Sequence, residues 1–389
     1  MLATALRLPR ADGTLAPYVP STAARHSFAP QPPPRTRVVY AAAHVVADPR
    51  APVDPILGGA IDWDATLAYR RHLWSLGFAV ADAMDTAQRG MGLTADLARE
   101  LIRRVGAEAR AVGGNVGFGA ATDALGPLTQ HGLDAIERAY AEQIALIEEQ
   151  DCTAIVMASR ALAKTARGAD DYARVYADVL AGATTPVILH WLGPMFDPQL
   201  AGYWGSDDLD AATETFVAIV RANVAKIDGV KISLLDAQRE VDLRRRLPDG
   251  VRVYTGDDFN YPELIAGDGA KHSDALLGIF DAIAPAARAA LGALDHGDRA
   301  RYDAVLAPTV TLSRHLFAAP TYAYKTGIVF LAYLNGFQEH FRMIGGAESW
   351  RSITHLATAF ELADAAGLIV DQERAAARAA RVFATAGIV

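Results

Sequence analysis

Lys231 lies inside an apolar stretch, Ile227-Asp228-Gly229-Val230-Lys231-Ile232-Ser233, with Val230 and Ile232 beside it. Burial withholds water from an ammonium group, so a lysine in such a place tends toward the neutral amine, which can attack a carbonyl carbon. A structural lysine paired with Asp228 or Asp257 satisfies the same pattern. His190 ends a second apolar run, Pro186-Val187-Ile188-Leu189-His190-Trp191. An imidazole titrates near pH ~6.5 and suits proton transfer at neutral pH; a core histidine donating to a backbone carbonyl is the plainer alternative. Trp191 reads as a pocket wall or a packing residue. Asp257 and Asp258 adjoin each other after Tyr254-Thr255-Gly256. Such a pair can bind a divalent cation, accept substrate hydroxyls, cap a helix or pair with a lysine. Arg89 can hold an anion by a bidentate contact or sit as a solvated helix-start residue. His44, in Ala43-His44-Val45, is a candidate ligand contact. His272, Ser273 and Asp274 resemble a hydrolase triad in composition only, because a triad needs convergence in space and these residues are consecutive.

Something must position these groups, and the spacing of apolar runs says what. Runs suited to buried parallel strands occur at 38–46, 79–84, 112–118, 154–158, 186–191, 227–232, 251–255 and 275–280. Amphipathic, helix-length segments lie between them, at 65–76, 94–109, 133–149 and 172–181. Eight strands alternating with helices predict an α/β protein, a (β/α)8 or TIM barrel, in which catalytic groups project from the C-terminal strand ends. An open doubly wound sheet is the competing fold. It lacks support, since no Gly-x-Gly-x-x-Gly follows the first strand and Gly117-Phe118-Gly119 has no later glycine in register. The barrel is expected over residues 35–285. After Pro285 the pattern becomes helical, with segments at 286–294, 298–316, 322–341, 350–366 and 372–386, read as a C-terminal extension over 286–389. Residues 1–34 hold seven of the 19 prolines and predict an extended N-terminal arm, lying across the protein or a neighbouring subunit, or mobile. The glycine-containing stretch 192–206, with Phe196, Tyr203 and Trp204, is long enough to cover a pocket or to pack on another subunit.

Composition excludes several classes. Hydrophobic residues make up 51% and charged residues 21%, as in globular domains, and the net charge of −8 argues against nucleic acid or an anionic membrane as partner. No run of 18 apolar residues free of charge predicts a membrane span. Met1–Arg10 has no apolar core with a cleavage site, so no signal peptide is expected and a cytoplasmic protein is the default. The lone cysteine, Cys152, reads as a buried structural thiol.

Gly229-Val230-Lys231 resembles the strand-six signature of the dihydrodipicolinate synthase and N-acetylneuraminate lyase superfamily. Gly77–Leu93 fits its strand-two region without a gap, and Tyr254-Thr255-Gly256-Asp257-Asp258 is similar to its strand-seven segment. Leu276-Leu277-Gly278 followed by Pro285, and Pro320–Lys325 entering an apolar helix, match later regions in order. The resemblance implies a (β/α)8 barrel in which Lys231 forms a Schiff base with a keto acid, with no cofactor, no catalytic metal and a homo-oligomer, dimer or tetramer. Two departures stand out. Where the family places two hydroxyl residues after strand two, this chain has Thr86 and Ala87 within Asp85-Thr86-Ala87-Gln88-Arg89. Where the family's strand five ends in a proton-passing tyrosine, this chain has His190.

The expected activity is therefore that of a class I aldolase, lyase or dehydratase acting on a keto acid or a carbohydrate-derived carbonyl compound. Lys231 is the nucleophile, His190 the proton shuttle and Thr86 its helper; Arg89, His44, Asp257, Asp258 and Trp191 would bind substrate. Two other classes compete: a metal-dependent barrel isomerase or lyase using Asp257, Asp258, His44 and His190, and a barrel that binds a keto acid without turnover.

Overall fold

The computed structural model describes residues 6–55, 58–126 and 130–388; of the Met1–Arg10 stretch, residues 1–5 lie outside the described ones. Eight parallel strands close a barrel in chain order: β1 (Val39–Ala42), β2 (Ala79–Asp82), β3 (Val116–Ala120), β4 (Thr153–Val156), β5 (Val187–Leu192), β6 (Ile227–Ser233), β7 (Arg252–Thr255) and β8 (Asp274–Leu277), which pairs back with β1. Each strand overlaps one of the eight apolar runs. Parallel strands are covered on both faces, so their sequences are apolar throughout and not alternating. The chain divides into two compact units, one of residues 37–43 and 78–278 that carries the barrel strands, the other of residues 1–36, 44–77 and 279–389.

In the barrel unit, Tyr40, Ile155, Ile188, Tyr254 and Leu276 form one buried cluster with the small residues Ala42, Ala79 and Ala81. The helix Ala95–Val112 shows how its flanks are built. Thr94 caps it by accepting from the Leu97 amide at 3.2 Å, its face of Ala98, Leu101, Ile102, Val105 and Ala109 is buried, and Gly113 ends it in the left-handed region at φ 72°. Val112 thus belongs to this helix and the third strand starts at Val116, later than its apolar run suggests. The 192–206 stretch is anchored within this unit. The Tyr203 hydroxyl accepts from the Ser159 amide at 2.9 Å and lies 3.1 Å from the Tyr176 hydroxyl, while Trp204 packs on Tyr176 and Phe216.

The other unit holds the helical C-terminal extension. Its first helix, Ile279–Asp295, begins six residues before Pro285 and passes straight through it, whereas the proline suggests a helix starting only beyond it. Proline removes one amide and leaves the carbonyl four residues earlier without its helical donor. That carbonyl belongs to Asp281, and the Tyr69 hydroxyl lies 2.7 Å from it. Further helices run over Arg299–Leu316, Tyr324–Asn335, Ile353–Ala365 and Gln372–Ala384. The proline-rich N-terminal segment forms a short hairpin, Arg7–Pro9 with Leu15–Pro17, and continues extended against these helices. The Asp364 carboxylate accepts from the Tyr18 hydroxyl and the Ser21 amide, each at 2.7 Å, and pairs with Arg25. The arm is therefore fastened to its own chain.

Candidate active site

The register of β5, β6 and β7 sets Lys231 opposite His190 on one side and Tyr254 on the other. Residues paired across parallel strands project from the same face, and Ile188 and Tyr254 place that face in the barrel interior. Lys231 is 5% exposed. Its stem passes over Gly256, where a Cβ would lie 2.8 Å from Lys231 Cε. Burial lowers the Lys231 pKa below its ordinary value, and the carboxylates of Asp85 and Asp258 pull against that shift. The structural pairings open in the sequence are not realised. Asp228 accepts from the Tyr254 hydroxyl at 2.6 Å, and Asp257 accepts from the amides of Phe259 and Asn260 at 2.9 and 3.0 Å, capping the turn after β7. Of the adjacent aspartates, then, Asp258 bears on the lysine and Asp257 shapes the loop.

His190 is fully buried, with Nε2 3.1 Å from Ser233 Oγ and Nδ1 without a hydrogen-bond partner among the described residues. Burial first, and the neighbouring Lys231 second, push its pKa well below the usual imidazole value, so it is neutral at physiological pH. Trp191 takes the opposite face of β5. Its ring packs on Phe216 and Trp204 at centroid distances of 5.2 and 6.1 Å, so it is a packing residue and not a substrate contact.

A cavity of about 270 Å³ opens at the C-terminal ends of β2 to β5, lined by Asp85, Arg89, Thr122, Met157, Arg160 and Asp197 among others. Asp85 lines this cavity and its charge favours the ammonium form of Lys231, but neither Lys231 nor His190 is among the lining residues. Thr86 and Ala87 are buried in the same turn. Arg89 is also buried, but its donors face the chain itself. Nε and Nη2 reach Asp123, Nη2 reaches Gln143 Oε1 at 2.6 Å, and Nη1 reaches the Gly119 carbonyl. The expectation that Arg89 holds a substrate anion is corrected on this ground: a guanidinium has five N–H groups, and these contacts take up each of its three nitrogens.

His44 follows β1 in the chain and belongs to the other unit, where it is held by Asp281. The carboxylate lies 2.8 Å from Nδ1 and accepts the His44 amide at 2.7 Å, and Tyr69 Oη is 2.8 Å from the same carboxylate. Ser273 is not a nucleophile of a triad, because its hydroxyl donates to Glu240 at 2.6 Å and accepts from Arg244 at 3.1 Å. Cys152 is half-buried, and burial pushes its thiol up to about 11, which leaves it unreactive. Among the described residues, no group of three or more His, Cys, Asp or Glu side chains is arranged to hold a metal ion. Sequence reasoning passed over Asp85 and Ser233. Each had a signal, a polar residue just beyond or at the end of an apolar strand run, where barrel enzymes carry their chemistry.

The molecule is thus a closed (β/α)8 barrel with a buried lysine on its sixth strand and a helical C-terminal extension. The chain matches the family described as "Protein of unknown function (DUF993)" over residues 6–388 and belongs to that family. No curated protein matches its sequence. Its fold is similar to the dihydrodipicolinate synthase of Aquifex aeolicus, with a TM-score of 0.65 at 14% identity, covering 86% of this chain and 99% of that one. The dihydrodipicolinate synthase of Thermotoga maritima gives 0.63 at 13%, covering 86% and 100%. That of Bacteroides thetaiotaomicron gives 0.64 at 12%, covering 84% and 98%. The resemblance carried by Gly229-Val230-Lys231 and its neighbours therefore extends to the fold. No described helix is long and apolar enough to cross a membrane.

Proposed function

We propose that this protein is a Schiff-base-forming lyase of the class I aldolase or dehydratase kind, acting on a keto acid or carbohydrate-derived carbonyl compound. The observation that carries it is the placement of Lys231, an amine buried in the barrel interior with its pKa lowered, in register with His190. The neutral Nζ attacks the substrate carbonyl carbon, the carbinolamine loses water, and a protonated imine forms. The imine accepts the electron pair released when a bond beta to its carbon breaks, giving an enamine. The neutral His190 imidazole takes up the proton freed in that step and returns it to the enamine carbon, with Ser233 fixing the ring through Nε2 and Thr86 assisting from the β2 turn. Asp258 and Asp85 offset the charge of the imine. A metal-dependent reading is less well supported, because Asp257 is occupied in its turn and His44 by Asp281.

Borohydride reduction in the presence of candidate carbonyl compounds, followed by peptide mapping, tests the proposal. A reduced adduct on Lys231, absent from Lys231→Met, is the expected result; an active substrate that leaves Lys231 unmodified removes the imine mechanism. A cytoplasmic homo-oligomer of two or four copies belongs to the same reading, and analytical ultracentrifugation showing only monomer would remove that part.

A further inference from the structure

Within the unit that holds the proline-rich arm and the helical extension, a second cavity of about 530 Å³ lies between residues 27–32, the helix Ile279–Asp295 and the start of the helix Arg299–Leu316. It shares no lining residue with the cavity at the strand ends. Its described wall holds two guanidinium groups, Arg288 and Arg301, against one carboxylate, Asp298. Arg288 is only 8% exposed. Its Nε donates to the Pro32 carbonyl at 3.0 Å, which ties the arm to the helix, and neither Nη1 nor Nη2 has a hydrogen-bond partner among the described residues. Gly292, one helical turn further on, makes room for this fork: a Cβ there would lie 3.2 Å from Arg288 Nη1, and Gly292 is itself part of the cavity wall. Arg301 is exposed, and its side chain likewise bonds nothing among the described residues. The carboxylates nearby are turned elsewhere. Asp298 caps the second helix by accepting the Arg301 amide at 2.9 Å, and Asp295 accepts the amides of Arg35 and Thr36 at 3.0 and 2.9 Å. In the cavity at the strand ends, by contrast, each arginine is paired with a carboxylate, Arg89 with Asp123 and Arg160 with Asp197. Burial lowers the Arg288 pKa, with Asp295 opposing it, and a desolvated cation is costly unless an anion meets it.

We propose that this cavity binds an oxyanion, the phosphate group of a small phosphorylated compound, and that Arg288 and Arg301 hold it. A guanidinium presents parallel N–H groups that match two oxygens of a phosphate. A phosphate has oxygens enough for forks from two helices, whereas a carboxylate is filled by one. The rest of the wall includes the small apolar residues Pro32, Pro285, Ala289 and Ala293, which leave room for the organic part of the ligand. Because Arg288 also holds the Pro32 carbonyl, an anion on its fork fixes the seat of the arm.

Inorganic phosphate, titrated into the full chain by isothermal titration calorimetry in chloride buffer of matched ionic strength, tests this. Saturable binding of one phosphate per chain is expected, with a dissociation constant of about 1 mM or tighter. Affinity should fall at least about fivefold in Arg301→Gln, and likewise in Arg288→Lys, which keeps the charge but loses the fork. Binding should persist in Lys231→Met. No saturable binding, or an unchanged affinity in Arg301→Gln, overturns the proposal. Loss of binding in Lys231→Met overturns it too, because the phosphate then sits in the barrel. Malonate is the carboxylate probe, and tighter binding of malonate than of phosphate overturns the assignment to phosphate. Circular dichroism checks that each variant folds; if Arg288→Lys does not, the exposed Arg301→Gln decides alone.

Discussion

Replacing Gly256 by alanine is the sharpest probe of how Lys231 is held. An added Cβ would fall 2.2 Å from Ser233 Oγ, 2.8 Å from Lys231 Cε and 2.9 Å from the Ile232 carbonyl oxygen. Carbon atoms rest at about 3.5–4.0 Å from one another, so the lysine stem must move by roughly 1 Å. The serine hydroxyl can rotate away, but it then gives up the contact to His190 Nε2. The carbonyl cannot yield, because it accepts the Gly256 amide at 2.7 Å and belongs to β6. Overpacking of this kind costs about 1–3 kcal/mol in stability, and a nucleophile misplaced by about 1 Å loses roughly a hundredfold in rate. Thermal unfolding and borohydride labelling of Lys231 measure the two effects separately. We expect a melting point lowered by a few degrees and labelling reduced about a hundredfold. In the double variant with Ser233→Ala, part of the stability returns and the labelling does not, since the clash with Lys231 remains. Wild-type labelling in Gly256→Ala would refute the argument, because the stem could not then pass where the structure places it.

Other outcomes follow from the same geometry. The rate of Lys231 labelling rises with pH and reaches its half-maximum below 10.5, because burial lowers the amine's pKa; Asp85→Asn moves the midpoint lower still, as Asp85 opposes the shift. A midpoint at or above 10.5 contradicts this. Glu240, buried against Ser273, is pushed from 4.5 up to about 8 by burial. Its contribution to stability is fully present below about pH 4.5 and is lost as pH rises through about 8, up to about 5 kcal/mol in all. His72, pushed down to about 4 by burial, has the opposite sign and acts between there and 6.5, so pH 6.5 to 8 isolates Glu240. Urea unfolding in that window should show stability falling with pH in the wild type and flat in Glu240→Gln; parallel slopes would exclude the assignment. Tyr69→Phe should cost about 1–3 kcal/mol by leaving Asp281 short of a donor. The loss should shrink when Pro285→Ala restores the helical amide, and a double-mutant cycle with no coupling would sink that account.

The barrel and the lysine buried within it were legible in the sequence for one physical reason. A strand covered on both faces reads as an uninterrupted apolar run, so eight such runs announced the strands, and a lysine within one of them was conspicuous. Parity was legible too, though it went unused for Trp191. Once His190 faces the interior beside Lys231, strand alternation sends its neighbour to the opposite face, where Phe216 and Trp204 meet it. Contacts between distant segments were not legible. Pro285 carries a local signal to break a helix, and the carbonyl it strands, that of Asp281, is met by the hydroxyl of Tyr69, 212 residues before Asp281 in the chain. Arg89 looked free to bind an anion because Asp123 and Gln143, 34 and 54 residues away, leave no trace in its own neighbourhood.

This difference separates what the sequence says about mechanism from what it says about substrate. A nucleophile is a property of one residue and its desolvation, and desolvation is written in the residues on either side. Substrate charge is a sum over the ends of several strands: Asp85 after β2, Asp123 after β3, Arg160 after β4, Asp197 after β5 and Asp258 after β7. Whether a cation in that set is available depends on which carboxylate it already holds, and only the paired geometry of Arg89 with Asp123 and Arg160 with Asp197 decides it. The Gly229-Val230-Lys231 motif resembles that of the dihydrodipicolinate synthase superfamily, and it bears on the lysine alone, not on the groups around the cavity.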